Sequence, residues 1–245
     1  MKAIILAAGY ATRLYPLTEN FPKPLLEVGG TPILDWLIDD LSSVVDEFIV
    51  VSNHKFAGQF RSWAKGHSEN ISVIDDGTES NETRLGAVRD IALAAENLDS
   101  DVFVMAGDNV LNFSLVPFIT YAQSAGTSCV MAHREEQLWA LQKTAVITID
   151  EDNLITSYEE KPKEPKGNLA VPPFYYYRQT DISRIGEALK DGCNPDAPGS
   201  FAAWLSKAVP MHAWMMTGSR YDIGDMASYE AVRDSYKGKQ GLQTL

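Results

Sequence analysis

Cysteine and histidine are scarce in this chain of 245 residues. The two cysteines, Cys129 and Cys193, lie far apart, and the four histidines show no spacing typical of metal ligands. A disulfide framework and a zinc-finger type of fold are therefore excluded. The apolar run at residues 3–8 is too short for a signal-peptide core or a transmembrane helix. We expect a protein of a reducing compartment, the cytoplasm.

Positive charge is also in short supply. The chain has 21 Lys and Arg residues against 33 Asp and Glu residues, which gives a net charge of −12. Such a field repels nucleic-acid phosphates and anionic membrane surfaces, so neither is an expected partner. An anionic small molecule remains a possible substrate if one site concentrates cations. Hydrophobic residues make up 45% of the chain, which excludes disordered and fibrous classes.

The first half of the chain alternates strand-like and helix-like segments. Strands are predicted at residues 3–6, 48–51, 71–74 and 102–106. One helix is predicted to open with Thr31 as its cap and Pro32 in its first turn, and a second is predicted over residues 83–96. This alternation favours an α/β fold with a doubly wound, mostly parallel sheet and helices on both faces.

The second half has a different pattern. Two strands at residues 145–149 and 154–158 flank a turn, and a third is predicted at 174–177. Helices are predicted near 182–190, 201–208 and 226–236, with a frayed tail from Lys237. We predict that residues 1–245 form a single domain whose mixed sheet carries a small added β lobe.

A glycine-containing loop follows the first predicted strand. Residues 6–14 read Leu-Ala-Ala-Gly-Tyr-Ala-Thr-Arg-Leu. Small residues after a strand let backbone N–H groups approach a phosphate, and Arg13 and Lys23 would add local positive charge. For the loop alone, a strand-to-helix turn with two solvated basic residues is the favoured interpretation, because short glycine-containing matches are weak evidence.

Five segments in order resemble the signature of the sugar-1-phosphate nucleotidylyltransferases. They are residues 6–14, residues 22–26 (Pro-Lys-Pro-Leu-Leu), Gly107-Asp108, Glu160-Lys161-Pro162 and Tyr221-Asp222-Ile223-Gly224. The resemblance implies a Rossmann-like fold and transfer of a nucleoside monophosphate from an NTP to a sugar 1-phosphate, with release of pyrophosphate. It also implies a nucleotide-binding part at about residues 1–110 and a sugar-phosphate-binding part at about 111–245.

The same resemblance implies roles for individual residues. The implied catalytic residues are Arg13 and Lys23, and the implied ligands of a Mg²⁺ cofactor are Asp108 and Asp222. The implied nucleotide-binding residues are Leu6, Ala7, Ala8, Gly9, Thr12, Arg13, Asn81 and Gly86. Glu160 and Lys161 would bind the sugar phosphate.

Elementary chemistry agrees with these roles. Attack on an α-phosphate needs neutralised charge and aligned reactants but no protein nucleophile. Asp108 follows a predicted strand, where open α/β sheets bind ligands, and one or two carboxylates suit Mg²⁺. The amide of Asn81 suits the edge of a pyrimidine base. The alternatives are a turn aspartate at Asp222, an Asx turn at Asn81 and a solvated charge at Lys161.

The chain departs from the family pattern at two places, and both the acceptor and the NTP base stay open. Ala11 stands where the family usually has a second glycine, and residues 171–174 replace its common sugar-contact strand. The aromatic run at 174–177 is expected to pack in the core, because adjacent strand residues face opposite sides. A choline-phosphate cytidylyltransferase of the same fold is the alternative function, and a non-catalytic nucleotide-sugar-binding protein is a remote one. A glycosyltransferase is disfavoured because Asp108 begins no Asp-x-Asp motif, and homo-oligomerisation stays open.

Overall fold

The computed structural model describes residues 1–238, which divide into two compact units. The first unit comprises Met1–Arg84, Ala106–Val116 and the chain from Thr217 onward, and the second comprises Leu85–Met105 and Pro117–Met216. Each unit is built from segments that are separate in the chain. The single domain with parts dividing near residue 110 stays a prediction.

The secondary structure alternates strands and helices along the chain. The strands are β1 (Lys2–Leu6), β2 (Glu27–Val28), β3 (Thr31–Pro32), β4 (Glu47–Ser52), β5 (Ile71–Asp75), β6 (Val102–Ala106), β7 (Asn109–Leu111), β8 (Ser128–Arg134), β9 (Ala145–Ile149), β10 (Ile155–Glu160), β11 (Leu169–Val171), β12 (Phe174–Tyr177), β13 (Met211–Met215) and β14 (Arg220–Asp222). The helices are α1 (Ile33–Leu41), α2 (His54–Ala64), α3 (Ala87–Ala95), α4 (Val116–Ala125), α5 (Leu138–Leu141), α6 (Gln179–Ile182), α7 (Ile185–Lys190), α8 (Gly199–Leu205) and α9 (Met226–Arg233).

The first unit is organised around the parallel strands β1, β4 and β5. Strand β4 lies between the other two, with Ile5 opposite Val50 and Val50 opposite Val73. Runs of β-branched residues suit such buried parallel strands. Two antiparallel ribbons, β2–β3 and β7–β14, complete this unit. The parallel pairing predicted for the N-terminal strands is confirmed.

Two helix starts differ from their predictions. Thr31 does not cap α1, because Thr31 and Pro32 pair with Val28 and Glu27 in the β2–β3 ribbon, and the helix begins at Ile33. Helix α3 begins at Ala87 rather than residue 83, since Gly86 at φ +93° interrupts helical geometry just before it. Local ladder formation and a left-handed glycine prevail over helix-start signals at these positions.

The second unit has a mixed sheet in the order β10-β9-β11-β8-β12-β6, with β13 parallel to β8. The predicted hairpin is β9–β10, which pair antiparallel. All four residues of β12 are buried between β8 and β6, so the expected core packing of the aromatic run is confirmed.

The helices of the C-terminal half deviate modestly from prediction. The helix predicted at 182–190 is two short helices, α6 and α7, whereas α8 begins two residues earlier than expected. Helix α9 ends at Arg233 instead of 236, and residues 239–245 of the tail predicted to be frayed lie outside the described residues. The α/β class with a mixed sheet and small extra ribbons is confirmed. Within residues 1–238, no helix is long and apolar enough to cross a bilayer.

Candidate functional site

The loop after β1 is fixed at its start by neighbouring elements of the first unit. Ala7 N donates to Val51 O at 2.9 Å, and the Asn53 side chain donates to Ala8 O at 3.0 Å. Ala7 and Ala8 are buried, whereas Gly9 is exposed and has open space where a Cβ would point. The small residues therefore leave the backbone accessible at Gly9, as an anion-binding turn requires.

Ala11 then turns the chain through a left-handed conformation. Its φ and ψ are 46° and 42°, and it precedes a 3₁₀ turn over Thr12–Leu14. The buried Thr18 hydroxyl donates to Ala11 O at 2.7 Å, and Leu14 N donates to the same carbonyl at 3.0 Å. Arg13 consequently leaves this turn as an exposed cation.

The loop after β5 is tied to the loop after β1. The buried Tyr10 hydroxyl donates to Thr78 O at 2.9 Å, and Asp76 Oδ1 accepts bonds from the Thr78 backbone N–H and hydroxyl. Burial raises the pKa of the Asp76 carboxyl above its usual value. Asn81 lies beyond this anchor in an exposed turn, where its carbonyl accepts a bond from Arg84 Nη1 at 3.0 Å.

A cavity of about 190 Å³ opens at the carboxyl end of β1. It is lined by Leu6, Ala7, Gly9, Ala11, Arg13, Leu14, Lys23, Pro24, Ala106, Asp108 and Gly224. The cavity thus brings together six of the residues predicted from sequence. It also places two cations and one carboxylate around a small space bordered by exposed backbone.

Lys23 forms an ion pair with Asp108 in this cavity. Its Nζ donates to Asp108 Oδ2 at 2.7 Å, and the lysine side chain is 10% exposed while that of Asp108 is 38% exposed. Pro22 and Pro24 flank the lysine and restrict the backbone that carries it. The second oxygen of Asp108 accepts a bond from Asn109 Nδ2 at 3.1 Å.

Asp222 lies on β14, directly opposite Asn109 of β7. Its side chain is 63% exposed, and Arg220 Nη1 lies 3.9 Å from its Oδ1. Among the residues that the structure describes, no group of three His, Cys, Asp or Glu side chains forms a ready-made metal cage. Two partly exposed carboxylates still fit Mg²⁺, which takes one or two protein oxygens and fills its shell with phosphate and water.

The predicted acceptor residues belong to the second unit. Glu160 ends β10, and burial raises the pKa of its carboxyl above the usual value. The position of a Cβ on Gly199 would fall 2.2 Å from Glu160 Oε2, so a side chain at position 199 would displace this carboxylate. Lys161 has a φ of 47°, and its side chain is exposed. Positive φ at a lysine is uncommon and often marks functional positions.

Gly86 has a structural reason to be glycine. Its φ is +93°, and a Cβ there would meet Pro195 O at 2.6 Å. Its carbonyl accepts the first N–H bonds of α3 from Arg89 and Asp90. The side of Gly86 on which a Cβ would sit therefore faces protein backbone.

Some predicted residues lie apart from the cavity lining, and some lining residues were not predicted. Ala8, Thr12, Asn81 and Asp222 belong to the same unit but are not lining residues. Sequence reasoning missed Gly224 in the lining, as well as Asn109 and Arg220, which contact the candidate carboxylates. The available signals were the position of Asn109 directly after Asp108 and that of Arg220 two residues before Asp222, since alternate strand residues share a face.

The fold and cavity define an α/β protein that presents a glycine-containing loop and basic side chains at a strand's carboxyl end, where such folds bind ligands. The model of the nucleotidyl transferase family matches residues 2–238, and the chain belongs to that family.

Relatives with curated names support this assignment. The chain is 31% identical over 199 residues to the glucose-1-phosphate thymidylyltransferase of Mycolicibacterium smegmatis, which covers 78% of this chain and 65% of that protein. It is 28% identical over 195 residues to the bifunctional protein GlmU of Methanocaldococcus jannaschii, covering 76% of this chain. The match spans only 44% of that protein's length.

The fold also resembles a solved structure of a UDP-glucose pyrophosphorylase complexed with UDP-glucose. The TM-score is 0.79 at 19% identity, and the match covers 96% of this chain and 97% of that one. At this identity the likeness shows the fold alone, and it confirms the predicted Rossmann-like type.

Proposed function

We propose that this chain transfers a nucleoside monophosphate from an NTP to a sugar 1-phosphate, giving an NDP-sugar and pyrophosphate. The observation that carries the proposal is the cavity that unites Gly9, Arg13, Lys23 and Asp108. A chain with a net charge of −12 here gathers two cations beside accessible backbone. Membership of the nucleotidyl transferase family supports the same reaction.

The reaction requires no protein nucleophile. An oxygen of the acceptor phosphate attacks the α-phosphorus, a new P–O bond forms, and the bond to the β-phosphate oxygen breaks to release pyrophosphate. Arg13 and Lys23 would neutralise the negative charge that builds up around the α-phosphorus. The two cations stabilise the transition state most, because the negative charge is greatest there and both side chains are already in place before the reaction begins.

Lys23 has to serve two partners in this scheme. It now donates to Asp108 Oδ2 at 2.7 Å, and contact with a phosphate requires this ion pair to open or share its proton donors. An ammonium group has three N–H donors, so Lys23 can keep one bond to Asp108 while another reaches phosphate oxygen.

Asp108 and Asp222 are the proposed ligands of a Mg²⁺ ion. Bound there, Mg²⁺ would neutralise phosphate charge and help to align the reacting groups. The support for this role is the donor set itself: two carboxylates, one in the cavity lining and one beside its neighbour in the β7–β14 ribbon. Opening the Lys23–Asp108 ion pair would free a carboxylate oxygen for this use.

The remaining roles follow the family resemblance. Leu6, Ala7, Ala8 and Thr12 would contact the nucleotide phosphates through the loop. Asn81 and Gly86 would contact the base, and Glu160 and Lys161 would hold the acceptor. The Glu160 carboxyl is half-buried at the end of β10 and can accept hydrogen bonds from sugar hydroxyls, which supports this role. We also propose a cytoplasmic location, supported by two free cysteines.

The direct test is a matrix of the four NTPs and dTTP against several sugar 1-phosphates and choline phosphate, read as pyrophosphate released with Mg²⁺. We expect turnover with at least one sugar 1-phosphate and a requirement for both substrates. Turnover with choline phosphate and with no sugar 1-phosphate would show that the acceptor is an alcohol phosphate. Nucleotide binding without pyrophosphate release would show a non-catalytic nucleotide-binding protein.

A further inference from the structure

Three polar side chains share one face of the β7–β14 ribbon. Asn109 is paired with Asp222, and Arg220 precedes Asp222 by two residues, so all three project to the same side. Arg220 Nη1 donates to Asn109 Oδ1 at 2.8 Å and lies 3.9 Å from Asp222 Oδ1. One guanidinium therefore contacts both the neighbour of Asp108 and the second candidate metal ligand.

The hydrogen bonds of Asn109 define which end of its amide faces Asp108. Asn109 is 1% exposed, and its Nδ2 donates to Asp108 Oδ1 at 3.1 Å and to Ala106 O at 3.2 Å. A guanidinium only donates, so the contact with Arg220 requires the amide oxygen on that side. The amide N–H groups are thereby directed to the Asp108 carboxylate.

We propose that Arg220 and Asn109 are positioning residues that set the orientation of the Asp108 carboxylate for a divalent cation. Arg220 acts through Asn109, and Asn109 acts on Asp108 directly. The proposal rests on the proposed function, because it takes Asp108 and Asp222 as the metal ligands. Groups that orient a metal ligand by hydrogen bonds tune metal affinity without touching the metal.

Arg220 could instead compete with the cation for Asp222. That contact is long, at 3.9 Å, and the aspartate side chain is 63% exposed, so solvent screens it. The bond to Asn109 is short, and its acceptor belongs to a residue with 1% exposure. Loss of the guanidinium leaves that buried amide oxygen without its partner, so the Asn109 amide no longer holds the Asp108 carboxylate in one orientation. We expect this loss to weaken cation binding more than removal of the long contact with Asp222 strengthens it.

The test is Arg220→Met, which keeps the aliphatic stem and removes the donors and the charge. We expect the half-saturating Mg²⁺ concentration for pyrophosphate release to rise about 10- to 100-fold. The second readout is Mn²⁺ binding in the presence of the NTP selected by the substrate matrix, followed by the electron paramagnetic resonance signal of free Mn²⁺. Mn²⁺ binding by Arg220→Met should weaken by a similar factor, and Arg220→Lys should recover part of the lost affinity.

A double-mutant cycle tests the route through Asn109. If Arg220 acts through the amide, adding Arg220→Met to Asn109→Leu changes Mn²⁺ binding little further. Arg184→Met is the matched control, because Arg184 pairs with Glu187 and stacks on Trp204 within the second unit. It should leave Mn²⁺ binding unchanged, and thermal melts check folding in every variant.

The outcomes separate this inference from the proposed function. Unchanged or tighter Mn²⁺ binding in Arg220→Met overturns the positioning role, as does a lowered melting temperature with unchanged metal dependence in the folded protein. If Asp108→Asn retains full Mn²⁺ binding, the metal role assigned to Asp108 fails first. If Asp108→Asn loses Mn²⁺ binding and Arg220→Met keeps it, only the positioning role of Arg220 is rejected.

Discussion

Ala11 occupies the left-handed region of backbone conformation in the middle of the candidate phosphate loop. An alanine there costs roughly 1–2 kcal/mol relative to right-handed geometry, whereas glycine adopts it freely. The conformation persists because two donors, Leu14 N and the Thr18 hydroxyl, hold the Ala11 carbonyl. The loop of this chain thus adopts glycine-like geometry without the glycine.

Ala11→Gly is expected to raise the free energy of unfolding by no more than about 1.6 kcal/mol. Relief of left-handed strain and the greater entropy of the unfolded glycine chain, about 0.4–1 kcal/mol, act in opposite directions. NTP affinity should stay equal or increase, because a methyl group that lines the cavity is removed. A denaturant melt and an NTP titration measure the two effects. A marked loss of affinity with an unchanged melt would show that the loop is built around alanine.

Lys23→Ala should lower kcat more than it raises KM for the nucleotide. The charge of Lys23 is expected to act mainly in the transition state, where the transferred phosphoryl group carries most developing charge. Steady-state kinetics of the mutant and the parent give both constants. Lys207→Ala, an exposed lysine of the second unit, is the control and should leave both unchanged. A rise in KM alone would make Lys23 a ground-state binding residue.

Glu160→Gln should stabilise the protein at neutral pH while it weakens acceptor binding. Burial raises the pKa of Glu160 above 4.5, so the folded state disfavours its charged form. This penalty is complete above the raised pKa and absent below the unfolded value, hence the stability gain should vanish as the pH falls below about 4.5. Denaturant melts across this pH range measure it. A variant that is less stable than the parent at pH 7 would contradict the burial argument.

At the scale of secondary-structure elements, α3 begins where glycine meets a second segment of the chain. The Gly86 carbonyl starts the helix, and Val88 N donates to Pro195 O at 2.9 Å. The 193–198 loop is therefore joined to the first turn of α3 within the second unit. This contact requires a residue without a side chain at position 86.

Gly86→Ala should destabilise the protein by about 1–3 kcal/mol, because it combines positive φ with a contact of 2.6 Å to Pro195 O. Gly186→Ala is the matched control within the same unit. Gly186 lies inside α7 with nothing within 4 Å of its Cβ position, and alanine there should stabilise by about 0.5–1 kcal/mol. Denaturant melts of both variants check the opposite signs. Equal effects would remove the steric explanation.

Strands with a continuous apolar run were predictable from sequence, and helix starts were less so. Strands β6, β9 and β12 have the predicted bounds, because turn residues flank their apolar runs. Helix α2 and strand β8 were not identified from the sequence. The helix is largely polar and the apolar run of the strand is short, so neither shows a clear hydrophobic periodicity. The start of α1 depends on the pairing of Thr31 and Pro32 with β2, which local residue propensities do not predict.

The candidate site was predictable to a similar degree. The cavity gathers Gly9, Arg13, Lys23 and Asp108 from segments that the family signature had singled out. The contributions of Asn109 and Arg220 depend on the β7–β14 register, and that register joins segments about a hundred positions apart. Side chains that act across such a ladder become visible only once the pairing is known.

At the scale of the whole molecule, the proposed function depends on a local concentration of positive charge in an acidic chain. The net charge of −12 would oppose the approach of a triphosphate, and the cavity of the first unit supplies the cations that counter it. Asp108 is central there, because it pairs with Lys23, accepts a bond from Asn109 and is a proposed ligand of Mg²⁺. Its neutral isostere is the most informative substitution.

The most direct measurement is pyrophosphate release by Asp108→Asn at saturating Mg²⁺, with its melting temperature close to that of the parent. We expect turnover to fall by about 100-fold or more, because a neutral amide is a poor Mg²⁺ ligand and no longer forms an ion pair with Lys23. Asp152→Asn, in the exposed turn between β9 and β10, should retain the parent's turnover. Comparable rates for Asp108→Asn and the parent would contradict the assignment of this cavity as the site of nucleotidyl transfer.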